Sequence, residues 1–267
     1  TANTTYAPIS SSSATVTVTG FAPVTLLTME GVTIGGNDAN LILTVLGTVG
    51  VDNIVHTPGS SIDSGNVAVN SLLPVGYTNL GAAGSVAIDG LVSNDTVVAQ
   101  GTNGDDGFNV AATTGSVVLT SIHGAHVALT RVDAAGEFLT LDGLDGNDTF
   151  TLNADQPYAA INVLGGSPGG SDTLIVNDNV GVNDVFAVVP GSQRTNGFIG
   201  VNAWIANYAG VEHLRLSSNA ADTDALSIVD VGLGDNLWDV SAGSAAAGSS
   251  ADLVQIDDRE SIEYSLF

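Results

Sequence analysis

Short stretches that alternate apolar and polar residues recur along the whole chain, separated by clusters of turn-forming residues. Alternation with period two puts every second side chain on one face, so each stretch predicts a half-buried β-strand. The clearest are Ala14–Thr19, Val67–Val69, Val86–Ile88, Val117–Thr120, Val127–Thr130, Phe138–Leu141, Thr149–Leu152, Leu174–Val176, Val185–Val188, Leu214–Leu216 and Leu226–Val229. Helical periodicity is absent, and the nearest helical composition, SAGSAAAGSSADL from Ser241, is too rich in Ser and Gly to hold a helix. The opening TANTTYAPISSSS is low in complexity. Residues 1–20 are therefore expected to be a flexible Ser/Thr-rich lead-in ending in a strand, ATVTVTG, that a neighbour can accept, and residues 21–267 to form the folded repeat domain.

The strands recur with a long period. An acid, or Gly84 in its place, precedes an alternating strand at Glu30, Gly84, Glu137, Glu212 and, less cleanly, Glu263, at intervals of 54, 53, 75 and 51 residues. A second marker, an Asp leading into a strand, falls at Asp52, Asp106, Asp184 and Asp235, at intervals of 54, 78 and 51. The two series agree on a unit of about fifty-three residues. The long interval carries an added strand-turn segment: Asn147-Asp148-Thr149 is followed 24 positions later by Ser171-Asp172-Thr173, and Ile161 and Val163 supply its own alternation. An array that accepts such a segment without losing phase behaves as a solenoid, in which each coil touches only its neighbours. The expected fold is all-β, a right-handed parallel β-helix of ~53-residue repeats. A tandem array of small β-sandwiches is the alternative; it calls for a Pro-containing linker at each boundary, and none recurs.

Composition narrows the picture. Apolar residues make up 44% of the chain but aromatics only 5%, so the core must be thin and built of Val, Leu, Ile and Ala. The 33 glycines imply many tight turns. Four arginines and no lysine stand against 28 acids, a net charge of −24, which excludes nucleic acid and anionic membrane surfaces as partners because both require clustered cations. Only five of the acids are Glu, and Asp is the acid that bonds its own backbone in turns. No cysteine is present, so neither disulfides nor thiolate metal sites form. No apolar run approaches the ~18 residues of a membrane span. The chain begins with Thr1 rather than Met, the mark of a processed product, and a secreted, cell-surface location is expected.

The turn in LDGLDGNDTFTLN, Leu141 to Asn153, gathers oxygen ligands around glycines ahead of a strand. Asp142, Asp145, Asn147 and Asp148 are candidates either for Ca²⁺ ligation or for capping the turn, and Asn103, Asp105 and Asp106 are candidates by the same reasoning. GLDGNDTFT, Gly143 to Thr151, and GGSPGGSDTLIVN, Gly165 to Asn177, resemble the glycine-aspartate repeats of RTX-type (haemolysin-type) calcium-binding proteins. The wider unit is similar to β-helical repeats of very large secreted surface proteins and adhesins of bacteria, planctomycetes among them. The resemblance implies Ca²⁺ held between coils, with the ligating Asp at Asp148 and Asp172 and turn carbonyls at Gly143, Asp145 and Gly146. Three departures stand out: Leu144 replaces the second Gly of the motif, Pro168 lengthens the second turn, and no two copies are contiguous. A calcium site here must recruit oxygens from a non-adjacent segment, because Ca²⁺ takes six to eight.

An enzyme or carbohydrate-binding module on a β-helix is the competing class. Lyases that act on acidic sugars need clustered Lys or Arg, and the arginines here, Arg131, Arg194, Arg215 and Arg259, are dispersed. The histidines fall in different repeats or, as His123 and His126, share a strand face imperfectly, so all four are expected at the surface. Trp204, Tyr208 and Trp238 are candidates for a sugar-stacking platform or for core filling. Acids that recur in every unit read as structure, whereas catalysis needs one unrepeated constellation; Glu30, Glu137 and Glu212 are expected to cap or pair along an edge. The reading is a non-enzymatic extracellular repeat protein, a fibre or adhesin subunit stiffened by Ca²⁺. Its expected partners are further copies of itself, joined head to tail, and extracellular polysaccharide.

Overall fold

In a computed structural model the chain is described over residues 3–37, 40–132, 136–153, 155–166, 171–178, 182–191, 193, 195–217, 225–228, 238–242, 252–256 and 261–265. It is all-β: no helix occurs among the described residues, and 26 strands form two mixed sheets of 15 and 11 strands. Among the described residues no helix is long and apolar enough to cross a membrane.

The chain alternates between the sheets. The larger sheet takes β1 (Thr4–Ser10), β2 (Ser13–Val18) and β3 (Val24–Leu26), and the smaller takes β4 (Val32–Gly35). Next come β5 (Ile42–Leu46) in the larger sheet, the meander β6 (Asn53–Pro58), β7 (Gly65–Val69) and β8 (Val75–Thr78) in the smaller, then β9 (Ser85–Asp89) and β10 (Thr96–Gln100), one in each. A second meander, β11 (Gly107–Val110), β12 (Val117–Ser121), β13 (Gly124–Ala125) and β14 (Ala128–Arg131), lies in the larger sheet. Single strands follow in alternation: β15 (Phe138–Asp142), β16 (Thr149–Asn153), β17 (Ala160–Leu164) and β18 (Thr173–Asn177). The third meander, β19 (Val185–Pro190), β20 (Gly197–Val201) and β21 (Trp204–Ala209), returns to the smaller sheet. The last strands are β22 (His213–Ser217), β23 (Ala225–Ile228), β24 (Trp238–Ala242), β25 (Asp252–Ile256) and β26 (Ser261–Ser265).

Within a meander the pairing is antiparallel; between successive passes through a sheet it is parallel. Thr96 of β10 faces Asn53 of β6 and Phe138 of β15, 43 residues before it and 42 after. Where no meander intervenes the interval shortens, so Thr149 faces Thr173, 24 residues on. The added segment seen in the sequence is thus β17 and β18, one more pass through each sheet. The ~53-residue recurrence, by contrast, is not a hydrogen-bonding interval. It relates the meander that starts at β6 to the one that starts at β11, and these lie in different sheets. Strands from the whole described length join two continuous sheets, rather than the separate sheets that tandem sandwiches require.

Parallel pairing in register stacks like side chains into files. Phe108, Phe150, Leu174 and Leu214 follow one another, with the two rings stacked at 5.0 Å and 12°. In the other sheet Ile54, Val97, Leu139 and Ile161 do the same. All belong to one core cluster fed by both sheets.

The opening residues are not a flexible lead-in. Tyr6 on β1 is buried and its hydroxyl donates to the Leu73 carbonyl at 2.6 Å, while Ala14 is fully enclosed. The strand expected to be donated, β2, is bonded on one side to β1 and on the other to β3, so it has no free edge.

Candidate functional site

At β6, β10, β11, β15, β16, β18, β19 and β22 the pass through a sheet begins with an acid that stands one residue before the strand. Its backbone N–H lies just outside the regular ladder and still needs an acceptor. The acid that opens the next pass through the same sheet supplies one with its side chain. Asp52 N–H donates to Asp95 Oδ1 at 2.7 Å, and Asp95 N–H donates to Glu137 Oε2 at 2.6 Å. Along the larger sheet Asp106 N–H donates to Asp148 Oδ1 at 2.8 Å, Asp148 N–H to Asp172 Oδ1 at 2.7 Å, and Asp172 N–H to Glu212 Oε2 at 2.8 Å. The backbone carbonyls run the same way, with Thr149 N–H bonded to the Asp106 carbonyl and Thr173 N–H to that of Asp148. Two files of carboxylates result, one beside each sheet, and all members except Glu212 are buried. Glu137 and Glu212 cap along the edge as their recurrence predicts.

A glycine makes room for the carboxylates of Asp52, Asp106, Asp148 and Asp172. In Gly47–Asp52, Gly101–Asp106 and Gly143–Asp148 the glycine stands five residues before the acid, and a Cβ on Gly101 would come within 2.6 Å of Asp106 Oδ2 and 2.9 Å of the Gly143 carbonyl oxygen. The turns then divide into two kinds. In the first, a Thr follows the glycine: Thr102 donates both its N–H, at 2.5 Å, and its hydroxyl, at 3.0 Å, to Asp106 Oδ2, while Thr48 donates its N–H to Asp52 Oδ2 and its hydroxyl to Oδ1. In the second, Leu91 and Leu144 take the Thr place with φ of 72° and 71°, a left-handed conformation costly for a branched side chain. Leu91 N–H turns aside to Asp89 Oδ1 at 3.1 Å. Asp95 Oδ2 and Asp148 Oδ2, like Asp106 Oδ1, are buried without a hydrogen-bond partner.

An unsolvated carboxylate oxygen favours the protonated acid. Burial pushes the Asp148 carboxyl up to about 7, the Asp106 N–H opposing and Asp172 and Asp106 adding to the rise. Burial likewise raises Asp106 and Asp172.

The sequence candidates are therefore brought together only in part. Asp106, Asp148 and Asp172 form one file. Outside it runs a second row, in which Asp105 Oδ1 accepts the Asn147 N–H at 2.9 Å and Asn147 Oδ1 accepts the Ser171 N–H, also at 2.9 Å. Asn103 and Asp145 are exposed at the turn tips, and Asp142 sits at the end of β15, where it accepts from Gln100 at 3.3 Å. Among the described residues no cluster of three or more His, Cys, Asp or Glu is placed to hold a metal ion; Pro168 lies outside them. Asp95 escaped sequence reasoning, although SVAIDGLVSNDT carries the same Gly-Leu and Asn-Asp signature as Gly143–Asp148.

One expectation about other groups is corrected, and for Trp204 and Tyr208 the structure selects core filling. His56 and His126 are buried, not surface residues: His56 Nε2 lies 2.7 Å from the Tyr77 hydroxyl and His126 Nε2 2.8 Å from Ser121 Oγ. Burial lowers the His56 pKa to about 4 and lowers that of His126. Trp204 and Tyr208 are buried in the core and offer sugars no platform; the Trp238 side chain lies outside the described residues.

No protein-family model, curated protein or solved structure matches the chain.

Proposed function

We propose that the chain is a structural repeat segment of a secreted or cell-surface protein, a right-handed parallel β-helix that assembles end to end and is stiffened by Ca²⁺. The observation that carries this reading is the acid-to-N–H file, because the same carboxylate chemistry recurs at pass after pass instead of converging on one reacting centre. Strict alternation between two sheets, with parallel pairing from pass to pass, supports the solenoid. The buried pair Ser121–His126 resembles a nucleophile and base, but His126 Nδ1 has no partner to orient it, so it does not favour an enzyme.

The residues fit a cation in one respect. Asp95, Asp106 and Asp148 each hold a buried carboxylate oxygen that lacks a donor, and a bound Ca²⁺ would satisfy it and relieve the self-repulsion of a −24 chain. Asp148 and Asp106 are the residues we assign to it, with Asp172 next along the file. Isothermal titration of the chelator-treated protein with Ca²⁺, Mg²⁺ as control, tests the assignment. Saturable binding lost in Asp148→Asn supports it, and no heat in the parent protein leaves the carboxylates as turn caps alone. Turnover of an acidic polysaccharide by the purified chain would favour the enzyme instead.

A further inference from the structure

The two sheets end together, and their ends match. Among the described strands the outermost at one end are β3 and β4, and at the other β24 and β23. Within each sheet an even number of antiparallel steps separates the two outermost strands, so β3 runs in the same direction as β24 and β4 in the same direction as β23. A copy placed tail to head would therefore meet both open edges in parallel, the relation that already joins successive passes inside the chain.

Side chains and turn chemistry agree. On β4 the residues turned toward the core are Val32 and Ile34, only partly covered, while Thr33 and Gly35 are exposed. On β23 they are Leu226 and Ile228, equally incomplete, with Ala225 and Ser227 exposed. On β3 and in its flanks, Val24, Phe21 and Leu27 are 57, 73 and 66% exposed. Glu30 occupies the acid position: it precedes its first inward residue, Val32, by two, as Glu137 precedes Leu139 and Glu212 precedes Leu214. Glu137 and Glu212 each accept the backbone N–H of the preceding pass. Glu30 is exposed beside β4, which is outermost in its sheet among the described strands.

We propose that the β3–β4 end is the socket for the β23–β24 end of a second copy of this chain, with β23 adding in parallel to β4 and Glu30 accepting a backbone N–H at the head of the incoming strand. This rests on the structural-repeat reading and names the surface that would carry it. A lone peptide strand satisfies one edge and leaves the other bare; two edges at a fixed spacing call for a partner with the same two-sheet end. Such a contact is heterologous and does not close, so it propagates. With both partners at −24, association strengthens as salt screens their repulsion.

Because the chain has no cysteine, engineered thiols report the contact cleanly. Matching Val32 to Leu226 and Ile34 to Ile228 puts Thr33 opposite Ser227, at the ~4.8 Å spacing of adjacent strands, within reach of a disulfide. Under mild oxidation Thr33→Cys mixed with Ser227→Cys should give a covalent dimer that neither variant gives alone, and the double variant a ladder of oligomers. Glu30→Ala, an exposed change that leaves folding intact, should weaken association roughly tenfold by sedimentation. Dimers from Thr33→Cys alone overturn the proposal in favour of a head-to-head contact. Oligomers that never cross-link place the interface elsewhere while the structural reading stands. A protein that stays monomeric at high concentration, in salt and in calcium, overturns socket and self-assembly together; calcium titration still judges the cation reading separately.

Discussion

The backbone N–H of Asp106 donates to Oδ1 of Asp148, 42 residues further along, across 2.8 Å. That bond occupies one oxygen and leaves Oδ2 of Asp148 buried without a partner, which is why the carboxyl is held up at about 7. The folded pKa lies above the ordinary value of 3.8, so protonation favours the folded chain. The stabilisation is complete below about pH 4, declines as pH rises and is lost once pH passes about 7. Without divalent cations, chemical denaturation should show stability falling across this window. Asp148→Asn keeps an acceptor for Asp106 and removes the titration, so its curve should be flatter and cross above the parent near pH 7, by a few kcal/mol at most. Parallel curves for the two proteins would show that Asp148 is solvated and ordinary.

Calcium should act in the opposite pH range, since it binds the ionised carboxylate. At pH 8 a chelator is expected to lower the melting temperature by several degrees, and the same treatment at pH 5 to do much less. In Asp148→Asn the difference at pH 8 should shrink. Melting curves that ignore the chelator at both pH values speak against a bound cation.

Glycine at the head of each turn is required by the carboxylate folded against it. Gly101→Ala drives a methyl group toward Asp106 Oδ2 and the Gly143 carbonyl and should cost about 2–4 kcal/mol. Gly50→Ala, in the equivalent turn before β6, meets nothing closer than Thr48 Oγ1 at 3.7 Å and should change stability by less than about 0.5 kcal/mol. Equilibrium urea denaturation of the pair decides; equal losses would mean that turn flexibility, not packing on the acid, sets the requirement.

Leu91 stands at a φ of 72° with its side chain 40% exposed. Leu91→Gly removes the left-handed strain and gives up little burial, so it should stabilise the protein by about 0.5–1 kcal/mol. A loss of stability in thermal melts would show that the leucine's packing outweighs its backbone cost.

The strands were legible because period-two alternation is a local signal. Phe138–Leu141, Thr149–Leu152 and Leu174–Val176 each lie within an observed strand, and the 24-residue spacing from Asn147-Asp148 to Ser171-Asp172 reappears as paired strands in register. The turn acids were legible too, with capping and Ca²⁺ ligation both open to them. The groups that Asp106, Asp148 and Asp172 cap were not, because a sequence shows which groups carry oxygens and not which backbone N–H lies 2.8 Å away. Residues 1–20 misled for a related reason: Ser and Thr are common in flexible segments and equally at home in strands, and only the contact between Tyr6 and Leu73, 67 residues apart, decides between them.

By itself the sequence determined that the chain is β throughout, that its turns are built on Gly and Asp, and that a unit of about fifty-three residues recurs. Only the tertiary structure decided which strands are neighbours. From β6 to β11 the chain makes three passes, through the smaller sheet, the larger and the smaller again, so each repeat starts in the sheet opposite the last. Hydrogen bonds join strands of one sheet, two passes apart, and therefore fall along the acid files at 40, 42 or 43 residues, or at 24 where the meander is missing. Sequence similarity records positions that share an environment; an odd number of passes per repeat puts those positions on opposite sheets, where they cannot touch.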